Sequence, residues 1–176
     1  KIREPYFDME PSYGPIFKMK RVGKNGKIIS VYKFRTMSPY SEYIQGKIIQ
    51  DNKLDKGGKI KDDFRITFYG KFLRKYWIDE LPMIINWFKR ELKLVGVRPL
   101  SEDYFGRYPK DLQELRIKTK PGLVPPYYVD LPVTFDEICD SESNYLNKYF
   151  VHPWKTDFIY FFMAVWNIVL KRKRSR

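Results

Sequence analysis

From Phe158 to Leu170 the chain runs thirteen residues with polar side-chain groups only at Tyr160 and Asn167, and Lys171, Arg172, Lys173, Arg174 and Arg176 follow at once. As a helix this run is about 20 Å long, against a bilayer hydrocarbon core of about 30 Å. It is too short to span a membrane and too apolar to lie free in water. Two placements remain. Either it packs on the protein core with a solvated basic end, or it lies in a membrane interface with Phe158, Tyr160, Phe161, Phe162 and Trp166 at headgroup level and the cations over anionic lipid. Aromatics joined to a polybasic end favour the second. The residues from Lys1 onward contain no longer apolar run, and none of them is expected to act as a signal peptide.

Upstream, Asn25-Gly26 separates Ile16–Val22 from Ile28–Phe34, both β-rich and partly alternating. That pattern predicts a hairpin. The polar, glycine-containing stretch from Ser38 to Lys61 reads as a mobile loop with a short helix around Ser41–Ile49. Phe64–Tyr76 reads as a strand or turn followed by helix. Leu81, Ile84, Ile85, Phe88 and Leu92 recur at helical spacing, predicting an amphipathic helix over Glu80–Leu92 with Pro82 in its first turn. Leu94–Pro99 is a short extended segment, and Lys110–Lys118 a helix stopped by Pro121-Gly122. Pro125, Pro126 and Pro132 mark irregular chain. Thr134 and Glu137 form a capping box for a helix to about Tyr149. The expected architecture is α+β: a compact, mainly helical catalytic domain over residues 1–156 with one hairpin, then an interfacial helix and basic tail over residues 157–176.

The charge balance narrows the partners. Thirty-four Lys and Arg against 21 Asp and Glu give +13, and the body keeps +8 without the tail. A nucleic acid, an acidic membrane surface or a phosphate-bearing substrate suits such a chain. With 176 residues, 43% hydrophobic and 18% aromatic, it has material for one real core and is neither disordered nor collagenous. Cys139 is the single cysteine, so no internal disulfide forms, which fits a reducing compartment. His152 has no second ligand nearby, and no P-loop, dinucleotide fingerprint or zinc spacing occurs.

Chemistry concentrates at Asp79-Glu80-Leu81-Pro82. Asp79 is expected as N-cap and Glu80 as first helical residue, where amide protons and the helix dipole favour ionised carboxylates. An ionised carboxylate there can attack phosphorus while its neighbour holds Mg²⁺ through oxygen. The same four residues also make an ordinary helix start. Cations distributed around them tip the balance: Lys33, Arg35, Arg65, Arg74 and Arg98 could together line a diphosphate site, although each alone is an ordinary surface charge.

At these residues the chain resembles the bacterial sugar transferases, the monotopic phosphoglycosyl transferases that make polyprenyl-diphosphate-linked sugars. The matching blocks, in family order, are Gly14–Phe17, Arg21–Lys27, Tyr32–Met37, Asp63–Thr67, Gly70–Arg74, Asp79–Pro82, Leu94–Pro99 and Lys120–Gly122. The resemblance implies that Asp79 attacks the sugar-bearing phosphate of a nucleoside-diphosphate sugar, usually a UDP-sugar, with release of UMP. Polyprenyl phosphate then takes the phosphosugar from the carboxylate. Glu80 is implied as the Mg²⁺ ligand, and Lys33, Arg74 and Arg98 as partners of phosphate oxygens. Arg35 and Arg65 join them as substrate-binding candidates, with Glu142 where the family often has aspartate. The implied location is the cytoplasmic face of the bacterial inner membrane, with homo-oligomerisation left open and no nucleic-acid partner.

Three departures stand out. The family's N-terminal hydrophobic helix, which enters one leaflet and turns back, has no counterpart here; either it lies upstream of Lys1 or the C-terminal helix carries attachment. Val97 replaces the usual proline before Arg98-Pro99. Leu123–Tyr128 replaces the usual Thr-Gly segment, a region that bears on sugar choice. Two other classes compete: a basic nucleic-acid-binding module, whose aromatics could stack on bases, and a catalytically silent membrane scaffold. The first leaves Asp79-Glu80 unexplained, and UMP release from a panel of UDP-sugars would argue against the second.

Overall fold

The computed structural model describes residues 14–41, 43–44 and 63–169. Their elements are β1 (Ile16–Val22), β2 (Ile28–Phe34), α1 (Phe68–Lys75), a 3₁₀ turn (Ile78–Glu80), α2 (Met83–Phe88), β3 (Lys93–Val95), α3 (Glu102–Phe105), α4 (Lys110–Ile117), β4 (Gly122–Val124), α5 (Tyr127–Asp130), α6 (Phe135–Val151) and α7 (Pro153–Val169). The class is α+β, as expected: a β1–β2 hairpin, a separate β3–β4 pair, and helices. The chain divides into two compact units, one made of residues 1–18 and 32–83, the other of residues 19–31 and 84–176.

The hairpin turns where the sequence places it. Asn25 and Gly26 both take positive φ, 57° and 71°, the conformation that Asn-Gly tolerates best. The predicted loop and helix between Ser41 and Lys61 lie almost wholly outside the described residues. In the first unit α1 is capped by the Thr67 side chain, which accepts from the Gly70 amide at 2.9 Å.

The second unit carries the main core: Val95, Val97, Leu100, Tyr108, Leu112, Cys139, Tyr145, Leu146 and Tyr160. Cys139 is thus a packing residue. β3 and β4 pair in parallel, with Lys93 opposite Gly122 and Val95 opposite Val124. Of the expected extended segment Leu94–Pro99 only Leu94 and Val95 lie in a strand, and its partner β4 is one that the prolines after it conceal. Gly122 is obligatory, since a Cβ there would lie 2.1 Å from the Gly96 nitrogen.

α6 begins with the predicted capping box, the Thr134 hydroxyl accepting from the Glu137 amide and the Glu137 carboxylate accepting from Thr134. α7 starts at Pro153, five residues before the apolar run, because proline is harmless at a first helical position. It packs on α5, α6 and β3. Tyr160, Ala164 and Asn167 face inward, while Trp154, Phe158, Phe162 and Trp166 stay exposed. Among the described residues no helix is long and apolar enough to cross a membrane.

Lys93 clamps this arrangement. Its ammonium donates to the Tyr145 hydroxyl at 2.9 Å and to the Asp157 carboxylate at 3.1 Å, and lies 3.3 Å from the centre of the Tyr149 ring. Burial pulls its pKa down to about 8 even though Asp157 opposes that.

Gly122→Ala is expected to destabilise the protein by about 3 kcal/mol, the upper end for overpacking, because backbone rather than a flexible side chain must yield. Gly106→Ala, at φ −62° with its nearest atom 3.5 Å from the added Cβ, should stay within about 0.5 kcal/mol of wild type. Thermal or urea unfolding of the two variants checks the contrast; equal losses would refute the close β3–β4 approach.

Candidate active site

Asp79 belongs to the first unit, and its position begins at Thr36. The Thr36 carbonyl accepts from the Thr67 amide at 3.0 Å and from the Thr67 hydroxyl at 3.2 Å. Gly70 sits against the same carbonyl, where a Cβ would lie 2.0 Å away. α1 is therefore seated flush on Thr36. One turn later Arg74 Nε donates to the Thr36 hydroxyl at 2.9 Å.

α1 stops at Tyr76, and Trp77 takes the left-handed conformation, φ 60°. For a bulky residue this costs about 1–2 kcal/mol. The reversal starts a 3₁₀ turn, Ile78–Glu80, rather than the expected α-helix N-terminus, and α2 begins only at Met83. Asp79 is thus an interior residue of a tight turn, not an N-cap: the strained Trp77 sets the chain direction before any helical amides are available.

Within this turn Asp79 is 9% exposed and Glu80 half-buried. Lys33, at the end of β2, places its ammonium 2.5 Å from Glu80 Oε1. Burial pushes the Asp79 carboxyl above the ordinary aspartate range. Lys33 pulls it back, the Glu80 charge pushes it further up, and Arg74 opposes that. Asp79, Glu80, Lys33 and Arg74 therefore form one electrostatic group.

The unit's other candidates have partners of their own. Arg65, 2% exposed, grips Asp63 with both arms, Nε to Oδ1 at 2.8 Å and Nη2 to Oδ2 at 2.6 Å, and donates to the Ser41 carbonyl. Arg35 donates to the Gly14 carbonyl at 2.9 Å and lies over the Phe17 ring.

Arg98 and Glu142 belong to the second unit. Arg98 follows β3 and donates through Nη1 to the Tyr127 hydroxyl at 2.9 Å. Its carbonyl accepts from Arg116 Nη2 at 2.6 Å. Arg116 pairs through Nη1 with Glu142, which is 1% exposed. Arg116 Nε is buried without a hydrogen-bond partner among the described residues. Arg21 lies close enough to Arg98 for repulsion to add to burial in lowering its pKa, so two guanidinium groups share one neighbourhood.

A family model described as "Bacterial sugar transferase" matches residues 7–171, nearly the whole chain. The chain belongs to the bacterial sugar transferase family. Among its relatives are "Galactosyl transferase CpsE" of Streptococcus agalactiae serotype III, 38% identical over 77% of this chain and 31% of that protein, and "Undecaprenyl-phosphate galactose phosphotransferase" of Salmonella typhimurium, 37% identical over 62% and 24%. A third is "UDP-glucose:undecaprenyl-phosphate glucose-1-phosphate transferase" of Klebsiella pneumoniae, 38% identical over 64% and 23%. The chain spans less than a third of the length of these relatives.

In this sugar transferase the donors fit Mg²⁺ only in part-protein fashion. No group of three or more His, Cys, Asp or Glu side chains among the described residues is arranged to hold a metal. Two adjacent carboxylates are nevertheless the hard oxygen donors that Mg²⁺ accepts when phosphates and waters complete its shell.

Sequence reasoning missed Thr36, Arg116, Tyr127 and, as a site residue, Arg21. The matched blocks contain Thr36 and Arg21, which was the available signal. Arg116 and Tyr127 lie outside those blocks, and only tertiary contacts identify them.

The pKa direction of Asp79 has a consequence for stability. A carboxyl raised in the folded state stabilises the fold while protonated, below the unfolded value near 4, and loses that contribution as pH rises through the folded value. At pH 7 the ionised side chain is a cost. Asp79→Asn should therefore raise the melting temperature at pH 7, with the advantage shrinking toward pH 4. A variant that melts lower at pH 7 would refute the burial argument.

Proposed function

We propose that this domain transfers a sugar 1-phosphate from a UDP-sugar to polyprenyl phosphate by way of a covalent intermediate on Asp79. The observation that carries this reading is the buried Asp79 carboxylate held beside Glu80, Lys33 and Arg74 in a member of the sugar transferase family. The printed names of two relatives, which act with undecaprenyl phosphate, supply the acceptor class, and one of them names UDP-glucose.

An Asp79 carboxylate oxygen attacks the sugar-bearing phosphorus. The bond from that phosphorus to the bridging oxygen breaks, and UMP leaves with the oxygen and the electron pair. An acyl phosphate bearing the sugar remains. A polyprenyl phosphate oxygen then attacks the same phosphorus, giving polyprenyl-diphosphate sugar and regenerating the carboxylate. No net proton transfer is needed.

Burial suits Asp79 to the task, because a desolvated carboxylate is a stronger nucleophile than a hydrated one. Lys33 and Arg74 oppose the upward shift that burial gives its pKa, and they neutralise phosphate oxygens; Arg98, in the second unit, is a further candidate for binding phosphate. Glu80 is the residue that would hold Mg²⁺; the cation supplies further neutralisation of the diphosphate when bound. Arg65 and Glu142, both nearly inaccessible in ion pairs, hold their surroundings in place, and Arg35 anchors the base of the hairpin.

The reading also places the protein at the cytoplasmic face of the bacterial inner membrane, with residues 1–156 as the transferase and residues 157–176 as the lipid-facing end. Trp154 is 91% exposed, Phe158 66% and Trp166 61%, and the five cations lie at the end of the same segment. That combination suits an anionic surface.

Two experiments test these assignments. Asp79→Asn should abolish both UMP release from UDP-galactose or UDP-glucose and the phosphosugar adduct seen by intact-protein mass spectrometry, whereas Glu80→Gln should raise the Mg²⁺ requirement. Turnover by Asp79→Asn at the wild-type rate would exclude Asp79 as nucleophile. Separately, replacing Phe158, Phe162 and Trp166 together by Ser should weaken binding to phosphatidylglycerol vesicles at least about tenfold. Undiminished binding would leave α7 as a packed helix only.

A further inference from the structure

The two faces of α1 differ sharply. Inward lie Gly70, against the Thr36 carbonyl, and buried Leu73, with Arg74 Nε reaching the Thr36 hydroxyl. Outward, Phe68, Lys71, Phe72, Lys75 and Tyr76 stand at i, i+3, i+4, i+7 and i+8, one continuous stripe along a helix. All five are exposed, Phe68 to 93%. The Phe72 and Tyr76 rings are 4.9 Å apart, and the Lys75 ammonium lies 5.5 Å from the centre of the Tyr76 ring. From Phe64 to Ile78 the chain has four cations and neither Asp nor Glu. An aromatic row this exposed is not explained by the packing of its own unit.

We propose that the α1 stripe is the surface by which the first unit meets anionic lipid, and that this contact serves the acceptor step of the reaction. This rests on the transferase reading above, and it concerns the unit that holds Asp79, not the one that carries α7. Charge complementarity selects the occupant. Aromatic rings beside lysines, whose stems follow apolar surface while their ammonium groups reach headgroups, match a phospholipid interface. An apolar protein groove would instead strip water from two ammonium groups without neutralising them. Two turns of helix make a weak anchor, so α1 sets orientation rather than attachment. It packs on the 3₁₀ turn Ile78–Glu80, so seating the stripe on headgroups fixes the height of the Asp79 carboxylate. Polyprenyl phosphate presents its phosphate at that level because its chain lies in hydrocarbon, whereas a UDP-sugar arrives from water. Only the acceptor step therefore depends on the stripe.

The test uses the full-length protein in phosphatidylglycerol vesicles with Mg²⁺ and UDP-galactose or UDP-glucose, and reads the two steps apart. Without acceptor, UMP release and the phosphosugar adduct report the donor step; polyprenyl phosphate in the vesicles then reports the acceptor step. Phe68→Gln with Phe72→Gln should leave the melting temperature unchanged and the donor step within about twofold of wild type. The same pair should lower kcat/KM for the vesicle-borne acceptor at least about tenfold, and a short-chain prenyl phosphate dissolved in water should erase that deficit. Lys71→Gln with Lys75→Gln should cost the acceptor step about fivefold in phosphatidylglycerol and less than about twofold in phosphatidylcholine. Undiminished acceptor transfer by both double variants would overturn the proposal. So would an equal loss in the donor step or with the water-soluble acceptor, since the stripe would then support the site itself. A wild-type dimer that the Phe68 and Phe72 substitutions convert to monomer would also overturn it, giving the stripe to a second copy. No UMP release by the wild-type protein would instead remove the transferase reading beneath it, an outcome distinct from the others.

Discussion

Taking a carboxylate out of water without neutralising it is the central physical difficulty in the first unit. Asp79 is nearly buried, and Glu80 beside it adds a second negative charge that makes ionisation harder still. Lys33 answers the pair from the end of β2, and Arg74 from α1. The surrounding structure exists in large part to deliver those two cations. Thr36 seats α1 through its carbonyl and holds Arg74 through its hydroxyl, and the missing side chain at Gly70 permits the approach. Trp77 then pays conformational energy to turn Asp79 inward. Stability alone does not account for this arrangement, which costs both desolvation and backbone strain.

The second unit handles polar groups differently. Arg116–Glu142 and Lys93–Asp157 are buried or half-buried pairs, and such pairs add little net stability because desolvation offsets attraction. Their effect is on geometry. Lys93 engages Tyr145 and Tyr149 of α6 and Asp157 of α7 from a single strand position, so the relative placement of three elements is fixed by one ammonium. Arg116 does the same for α4, α6 and the Arg98 segment. Apolar packing alone would tolerate small slides of helix on helix; directional hydrogen bonds to a charge do not.

These two modes explain which parts of the molecule were legible in the sequence. The hairpin, the capping box at Thr134 and the helix from Lys110 follow from local chemistry, and they stand where that chemistry puts them. The Asp79 turn does not, because its geometry depends on a tryptophan accepting a left-handed conformation, which no local preference favours. β4 is equally opaque: three residues before two prolines look irregular until the close approach of Gly122 to Gly96 supplies the pairing. The residues of the candidate site were legible as a set through resemblance. Their grouping was not, since Lys33 meets Glu80 across 47 residues of chain, and Arg65 and Glu142 proved to be engaged in ion pairs of their own.

α7 shows why one polar residue in an apolar helix is informative. A helix meant only to lie on lipid gains nothing from an asparagine, and one meant only for a core would carry its cost without return unless both amide protons found acceptors. Asn167 finds two, the carbonyls of Tyr128 and Val129 at the end of α5. It therefore marks the inward face of the helix, in line with Tyr160 and Ala164, and assigns Phe158, Phe162 and Trp166 to the outward one. The same residue that orients the aromatic face also fastens α5, which carries Tyr127 to Arg98. Rotation of α7 about its axis would break both amide hydrogen bonds at once, so the exposed face of α7 and the seating of α5 are coupled through this side chain.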